Sequence, residues 1–437
     1  MNLIGGHLYI HIPFCRSRCD YCDFYTRCGV SEKRQNEVVE AISRQAEELL
    51  PLLLDETPSD YPPGQNGLPG QDGLSGSVPG ASAPDTPASG GAPLATMYLG
   101  GGTPSALVPT ARKKLFALVR RLGLAKEATL EANPEDITPQ FLEEASQAGI
   151  NRLSVGVQSL DAGALQRIGR KIDPDTVQRG IDLVHNHWRD AAGKQRRWSA
   201  DIIAGIPGRN NSALQQDLEG VLAAGADHLS VYELTLEPET PLGRDLRRGT
   251  FRTAPEEEIL AERAFLDHLL RGRGFSRYEV SSYALPDSES HHNCAYWQMR
   301  PYLGIGPGAV GTILSPSPRR LTNTRDLALY CSDPSRGLEI EEISPTDYLK
   351  EVIMMGFRTR RGISRRTFLD RFGAPLESFI PETLDRWKVP IPGAKEDRKE
   401  GDASEGWYRL APRHWMLLDT FLREAFREIN ETGNAAR

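Results

Sequence analysis

The chain has 437 residues, with 52 lysines and arginines against 59 aspartates and glutamates, for a net charge of −7. That length allows two domains and a large core, and the acidic total excludes a protein whose main task is to coat nucleic acid. No run approaches the roughly eighteen consecutive apolar residues of a membrane span, and the first basic residue is Arg16, so the expectation is a soluble, cytoplasmic chain without a membrane span. Six cysteines stand at 15, 19, 22, 28, 294 and 331. Four of them crowd one short segment, which suits a metal site in a reducing compartment better than a disulfide scaffold.

Taken in chain order, short β-rich runs alternate with helical periods. Strands are expected at 8–12, 97–99, 128–132, 152–157, 200–203 and 228–234. Between the first two, Val38, Ile42, Ala46 and Leu49 recur at helical spacing over 37–50. Thr138 followed by Pro139 has the character of an N-cap and first turn. Strand then helix, repeated, implies a parallel sheet closed or partly closed into a β/α barrel, with functional residues at the carboxyl ends of its strands. Residues 57–94 interrupt this pattern with eight glycines and eight prolines, and Gly64, Gly67, Gly70, Gly73 and Gly76 fall at every third position. So few triplets cannot hold a collagen triple helix, and the segment is expected to be a disordered insertion. From about residue 345 helices are expected at 348–357, 365–372, 376–387 and 415–429, with a strand near 407–410 and a charged loop at 395–405. This is the outline of a small winged-helix-like domain.

Directly after the first strand, Cys15, Cys19 and Cys22 form a Cys-x3-Cys-x2-Cys loop. Three thiolates can hold three irons of a cubane and leave the fourth open to a chelating ligand; zinc completed by His11 is the competing reading of the same residues. After the second strand comes Gly100-Gly101-Gly102-Thr103-Pro104. Missing side chains would let backbone approach a ligand there, and a tight strand-to-helix turn would use the same residues.

These motifs, taken with Glu131-Ala-Asn-Pro, Gly156-Val-Gln158-Ser, Ile168-Gly-Arg170, Asp201-Ile-Ile-Ala-Gly205 and Arg277-Tyr-Glu-Val, resemble the radical S-adenosylmethionine (SAM) superfamily, in its coproporphyrinogen-oxidase-like branch. The resemblance implies a partial (β/α)6 TIM-like barrel over 1–290 and an oxidase-type C-terminal region over 291–437 that includes the winged-helix-like domain. It implies a 4Fe-4S cluster on Cys15, Cys19 and Cys22. It also implies that Tyr9, Tyr21, Gly101, Gly102, Thr103, Glu131, Gln158, Arg170 and Asp201 line SAM. Chemically this fits, because carboxylates at strand ends accept from ribose hydroxyls and a guanidinium meets a carboxylate.

Two subfamilies share this framework. Oxygen-independent coproporphyrinogen III oxidases, which decarboxylate a porphyrinogen in porphyrin biosynthesis, resemble the chain but carry another cysteine two positions after the third ligand. Here that position is Phe24, and only fourteen residues precede Cys15. Both differences are similar to the HemW heme-chaperone branch, as is His292-Asn293-Cys294-Ala295-Tyr296-Trp297. The resemblance implies heme as a further ligand, with His292 as its axial residue ahead of His291 and Cys294, and an apo-hemoprotein acceptor; it admits a homodimer. Ile172, Ser282 and Val310 depart from the family pattern on the substrate side. Arg358, Arg360, Arg361, Arg365 and Arg366 form the one candidate nucleic-acid patch, a minor reading in an acidic chain.

Overall fold

The computed structural model describes residues 6–54, 94–392 and 406–435. All but the last residue of the 57–94 insertion, and the whole 395–405 loop, lie outside the described residues. Six strands, β1 (His7–Ile12), β2 (Thr96–Gly101), β3 (Glu127–Ala132), β4 (Arg152–Gln158), β5 (Arg197–Ala204) and β6 (His228–Glu233), lie side by side in chain order, all parallel. The helices α1 (Glu32–Leu54), α2 (Pro109–Leu122), α3 (Pro139–Gln147), α4 (Ala162–Arg167), α5 (Pro174–His187) and α6 (Asn211–Ala223) connect them. This is the expected partial (β/α)6 barrel.

Alternation along the strands explains the closure. In β1, Leu8, Ile10 and Ile12 join the apolar core shared with the helices, while His7, Tyr9 and His11 make polar or aromatic contacts with neighbouring strands. The same period of two sets Leu130 in that core and turns Thr129 and Glu131 to polar partners in β3; in β5 it separates Ala200 and Ile202 from Ser199 and Asp201. Each outward Leu, Ile or Val contributes roughly 1.5–3 kcal/mol by leaving water, so the sheet is held from outside and its inner face is left to polar chemistry. Helix starts follow their caps: the side chains of Thr138, Asp161, Asp173 and Asn210 accept from the amides of Phe141, Ala164, Thr176 and Ala213. Such a cap contributes typically about 1 kcal/mol.

The sheet continues beyond the six strands. After α7 (Pro241–Arg248) and α8 (Glu256–Gly272), the short strand β8 (Ser282–Ala284) adds antiparallel to β6, and β7 (Ser276–Arg277) pairs antiparallel with β8 at the edge. After α9 (His291–Trp297), β9 (Tyr302–Ile305) pairs parallel with the far side of β1. Then β10 (Val310–Ile313), β11 (Arg319–Asn323) and, past α10 (Leu327–Ser332), β12 (Leu338–Glu342) extend that side as an antiparallel meander. Twelve strands thus make one sheet with β12 at its edge, where Glu341 and Glu342 face Arg320 and Arg319 and Ile340 is exposed.

A second apolar core is built from α11 (Pro345–Phe357), α12 (Arg365–Phe372), α13 (Pro381–Arg386) and α14 (Leu418–Ala435), with Phe357, Phe368, Leu384 and Phe421 at its centre. The antiparallel pair β13 (Ile363–Ser364) and β14 (Trp407–Tyr408) supplies the wing. The helix expected at 376–387 is instead a 3₁₀ turn, Leu376–Ser378, followed by α13. Pro381 lacks the amide that a continuous helix needs and opens the new one. Similarly, 415–417 belongs to the 3₁₀ segment Pro412–Leu417 that precedes α14. Four arginines of the patch have partners: Arg358 stacks over Trp297 of α9 and Arg361 over Trp407, while Arg365 and Arg366 pair with Glu377 and Asp370.

Candidate SAM and cluster cavity at the barrel mouth

A cavity of about 490 Å³ opens at the carboxyl ends of β2 to β6, under the cysteine loop. Cys15, Cys19, Cys22, Tyr21, Gly101, Gly102, Thr103, Glu131, Gln158, Arg170 and Asp201 all line it. Of the residues expected around SAM, Tyr9 alone is not among the lining residues. Its hydroxyl bonds His11 Nδ1 at 2.9 Å, behind the wall.

The cysteine loop is fixed by backbone. The Cys15 amide donates to Arg27 O at 3.1 Å, the Asp20 amide to Ile168 O at 3.3 Å, and the Thr103 amide to Phe14 O at 2.7 Å. The glycine triplet is explained by these contacts as much as by any ligand. A Cβ on Gly100 would lie 2.8 Å from the Glu131 carboxylate, one on Gly101 2.4 Å from the His11 ring, and one on Gly102 2.7 Å from Phe14 O. Gly101 also has φ +108, which side chains avoid.

The sulfurs meet donors. Thr103 Oγ1 lies 3.4 Å from Cys15 Sγ, Arg170 Nη1 donates to Cys19 Sγ at 3.5 Å, and the Phe24 amide hydrogen-bonds Cys22. Burial pushes the Cys15 thiol up to about 12, eased by Thr103, and raises Cys22 as well. Such thiols become thiolates when metal ions compensate the charge. His11 does not complete a zinc site, because Nδ1 bonds Tyr9 and Nε2 bonds Tyr25 O at 3.2 Å. Among the described residues no three Cys, His, Asp or Glu side chains close on a single ion. A cubane does not require that, since each cysteine binds its own iron.

The carboxylates are buried opposite. Glu131 accepts from the Tyr98 hydroxyl at 2.9 Å and the Gly101 amide at 3.0 Å, and Asp201 accepts from the Ser154 hydroxyl at 3.1 Å. Burial still dominates and raises Glu131 to about 7 and Asp201 to about 6. Gln158 sits at φ +65 where β4 bulges against β5, a conformation that costs a non-glycine residue of order 1 kcal/mol or more. Arg170 is held by Glu135 and by Gly156 O, and its Nε is buried with no partner. Raised acids, a strained strand end and an orphaned guanidinium nitrogen are what a site shows when the ligand that completes it supplies hydroxyls and a carboxylate.

Tyr98 and Asn133 fell inside the motifs without being given a role, and Ser154 and Tyr232 were not singled out, yet all four line the cavity. The period-two alternation was their signal, since each occupies or follows an inward position of a strand. Ile172, Ser282 and Val310 do not line it: Ile172 packs on the main core, Ser282 is buried in β8 opposite Ser230, and Val310 stands at the start of β10.

His292, expected as the axial heme residue, is not among the residues that line this cavity. It is 0 % exposed at the amino end of the barrel, with Nδ1 2.7 Å from Thr96 Oγ1 and Nε2 2.7 Å from the Tyr296 hydroxyl. Its ring stacks on Tyr98, and its amide donates to Glu127 at 3.0 Å. Both ring nitrogens are hydrogen-bonded to hydroxyls, so meeting a heme iron would require one of these bonds to be given up. His291 Nδ1 lies 3.9 Å from Glu127, and Cys294 Sγ 4.0 Å from Glu289, on the same floor.

Comparison with known proteins agrees with this architecture. The Radical SAM superfamily model matches residues 90–220 and the HemN C-terminal domain model residues 343–386. The chain is 30% identical over 400 residues to the heme chaperone HemW of Escherichia coli (strain K12), covering 87% of this chain and 93% of that one. It is 32% identical over 368 residues to the mitochondrial radical S-adenosyl methionine domain-containing protein 1 of Bos taurus, covering 82% and 69%. The solved coproporphyrinogen III oxidase (HemN) of Escherichia coli superposes with a TM-score of 0.70 at 16% identity, covering 97% of this chain and 90% of that one, and shares the fold. With cysteine loop, barrel and winged C-terminal domain in one chain, and relatives that match it nearly end to end, the protein belongs to the HemW heme chaperone family of the radical SAM superfamily.

Proposed function

We propose that this protein is a heme chaperone that holds a 4Fe-4S cluster, SAM and heme, and hands heme to an apo-hemoprotein of the respiratory chain in the cytoplasmic compartment. The observation that carries the choice over porphyrinogen decarboxylation is Phe24. It stands on the cavity rim, 71% exposed, where the oxidases carry a further cysteine. A phenyl ring neither ligates metal nor moves a proton, but it offers a flat apolar contact to a macrocycle.

Cys15, Cys19 and Cys22 would hold the cluster, whose open iron, when bound, chelates the amino and carboxylate groups of SAM. Arg170 would complete its hydrogen bonding on that carboxylate through Nε, and Glu131 and Asp201 would accept from hydroxyls of the nucleoside. Gly101 and Gly102 keep the floor of the site low, and Tyr21 packs beside the loop over Ile168 and Ile203. On this reading His292 would brace the barrel floor through Thr96 and Tyr296 rather than hold heme iron.

The test is anaerobic reconstitution followed by heme titration and transfer to a heme-free hemoprotein. A Soret band that forms on this chain and then moves to the acceptor is expected. Loaded protein that shows no Soret titration, or that turns coproporphyrinogen III over with SAM and a reductant, overturns the assignment.

A further inference from the structure

One turn beneath the cysteine loop reaches it at three places. Asn133 to Asp136 follows β3 directly and includes the 3₁₀ segment Pro134–Asp136. Asp136 pairs with Arg16, between the first two cysteines, and accepts from Ser105 at 2.9 Å. Asn133 Nδ2 donates to Thr103 Oγ1 at 3.1 Å, and that oxygen is the one 3.4 Å from Cys15 Sγ. Glu135 pairs at 3.4 Å with Arg170, whose other terminal nitrogen donates to Cys19 Sγ.

The polarity of the first relay follows from hydrogen-bond chemistry. An amide N–H can only donate, so Asn133 makes Thr103 the acceptor and leaves the threonine hydrogen for the sulfur. In the second relay Glu135 and Gly156 O hold the guanidinium on one side and steady its charge beside Cys19. Donors and positive charge at a ligating sulfur stabilise the reduced, more negative cluster and raise its potential.

We propose that the turn at 133–136 sets the reduction potential of the cluster, with Asn133 and Glu135 as positioning residues that aim the Thr103 hydroxyl at Cys15 and the Arg170 guanidinium at Cys19. The inference rests on the cluster reading above. It gives Thr103 and Arg170 a task on sulfur that does not depend on SAM, and it gives Asn133 and Glu135 a role exerted through other side chains.

The experiment is an EPR-monitored redox titration of the full chain, reconstituted anaerobically and without SAM, with iron and sulfide assayed on each sample. Asn133→Asp replaces the donor by an acceptor that captures the threonine hydrogen, and Thr103→Val deletes the hydroxyl. Both, together with Arg170→Gln, are expected to lower the potential, with the ratio of reduced to oxidised cluster at fixed poise down about tenfold, which is 59 mV for one electron. Thr103→Ser keeps the hydroxyl and is expected to titrate with the parent. Fully loaded variants that all titrate with the parent overturn the proposal, as does a Thr103→Ser shift as large as that of Thr103→Val. Where a variant loads poorly, iron retention in Thr103→Ser against Thr103→Val decides, equal losses counting against the relay. A parent that takes up no iron and sulfide fails the cluster reading instead, so the two failures are distinct.

Discussion

The two ends of the barrel interior use the same residue types to opposite effect. At the floor, Thr96 lies between His7 and His292, Tyr296 takes the other side of His292, and Glu127 meets Arg197 at 3.2 Å and two backbone amides. At the mouth, Glu131 and Asp201 also have donors, yet burial keeps both well above the usual carboxylate range, and Arg170 keeps an idle nitrogen beside open volume. Orphaned nitrogens occur at both ends, His7 Nε2 and Arg152 Nε at the floor and Arg170 Nε at the mouth, and what sets the mouth apart is that its polar groups border open volume, as a binding site requires.

The largest effect that sharpens this contrast is at the sulfurs. Changing Cys15, Cys19 and Cys22 together to alanine is expected to abolish uptake of about four irons and four sulfides per chain, read by chemical assay, while the fold survives because these are loop residues. Next comes the floor. His292→Ala removes the partner of Thr96 and Tyr296 and is expected to cost about 2–4 kcal/mol in denaturant melts while the heme titration stays in place. A folded His292→Ala chain that has lost its Soret titration would break the comparison and return the residue to heme.

At the mouth, Asp201→Asn is expected to weaken SAM about tenfold, a hydrogen bond to a charged group being worth roughly 1.5–3 kcal/mol; equilibrium dialysis measures it. A second effect at the mouth depends on pH. The Glu131 carboxyl, raised by burial to about 7, binds its proton more tightly in the folded state. It therefore stabilises the ligand-free chain below the unfolded value near 4.5, and that contribution is lost as pH rises through about 7. Glu131→Gln should then melt higher than the parent at about pH 8, by up to about 3 kcal/mol, and equally at about pH 4. Coincident melting curves at the higher pH would show that the mouth is as well compensated as the floor.

The six parallel strands could be read in the sequence because each pairs an apolar outward set with a cap or glycine at its end, signals that are local. β7 to β12 were not anticipated. They are two to five residues long, and the pairings that anchor them to the barrel, β9 on β1 and β8 on β6, join segments far apart in the chain. At the site, ordered motifs located the mouth because cysteines, glycines and acids fall at consecutive strand ends. His292 drew a heme reading by the same logic. An imidazole with aromatic neighbours has the chemistry of a heme ligand, and only the fold reveals that Thr96 and Tyr296 have already claimed both nitrogens.

The strand that bounds the sheet has a bearing on how such a chain survives at high concentration. Exposed Ile340 lies on an open row of peptide groups that could template growth by a second molecule, but Glu339, Glu341 and Glu342 flank it. Two such rims brought together would set carboxylate against carboxylate, so the β12 border acts as a gatekeeper against end-to-end sheet growth and fibre formation.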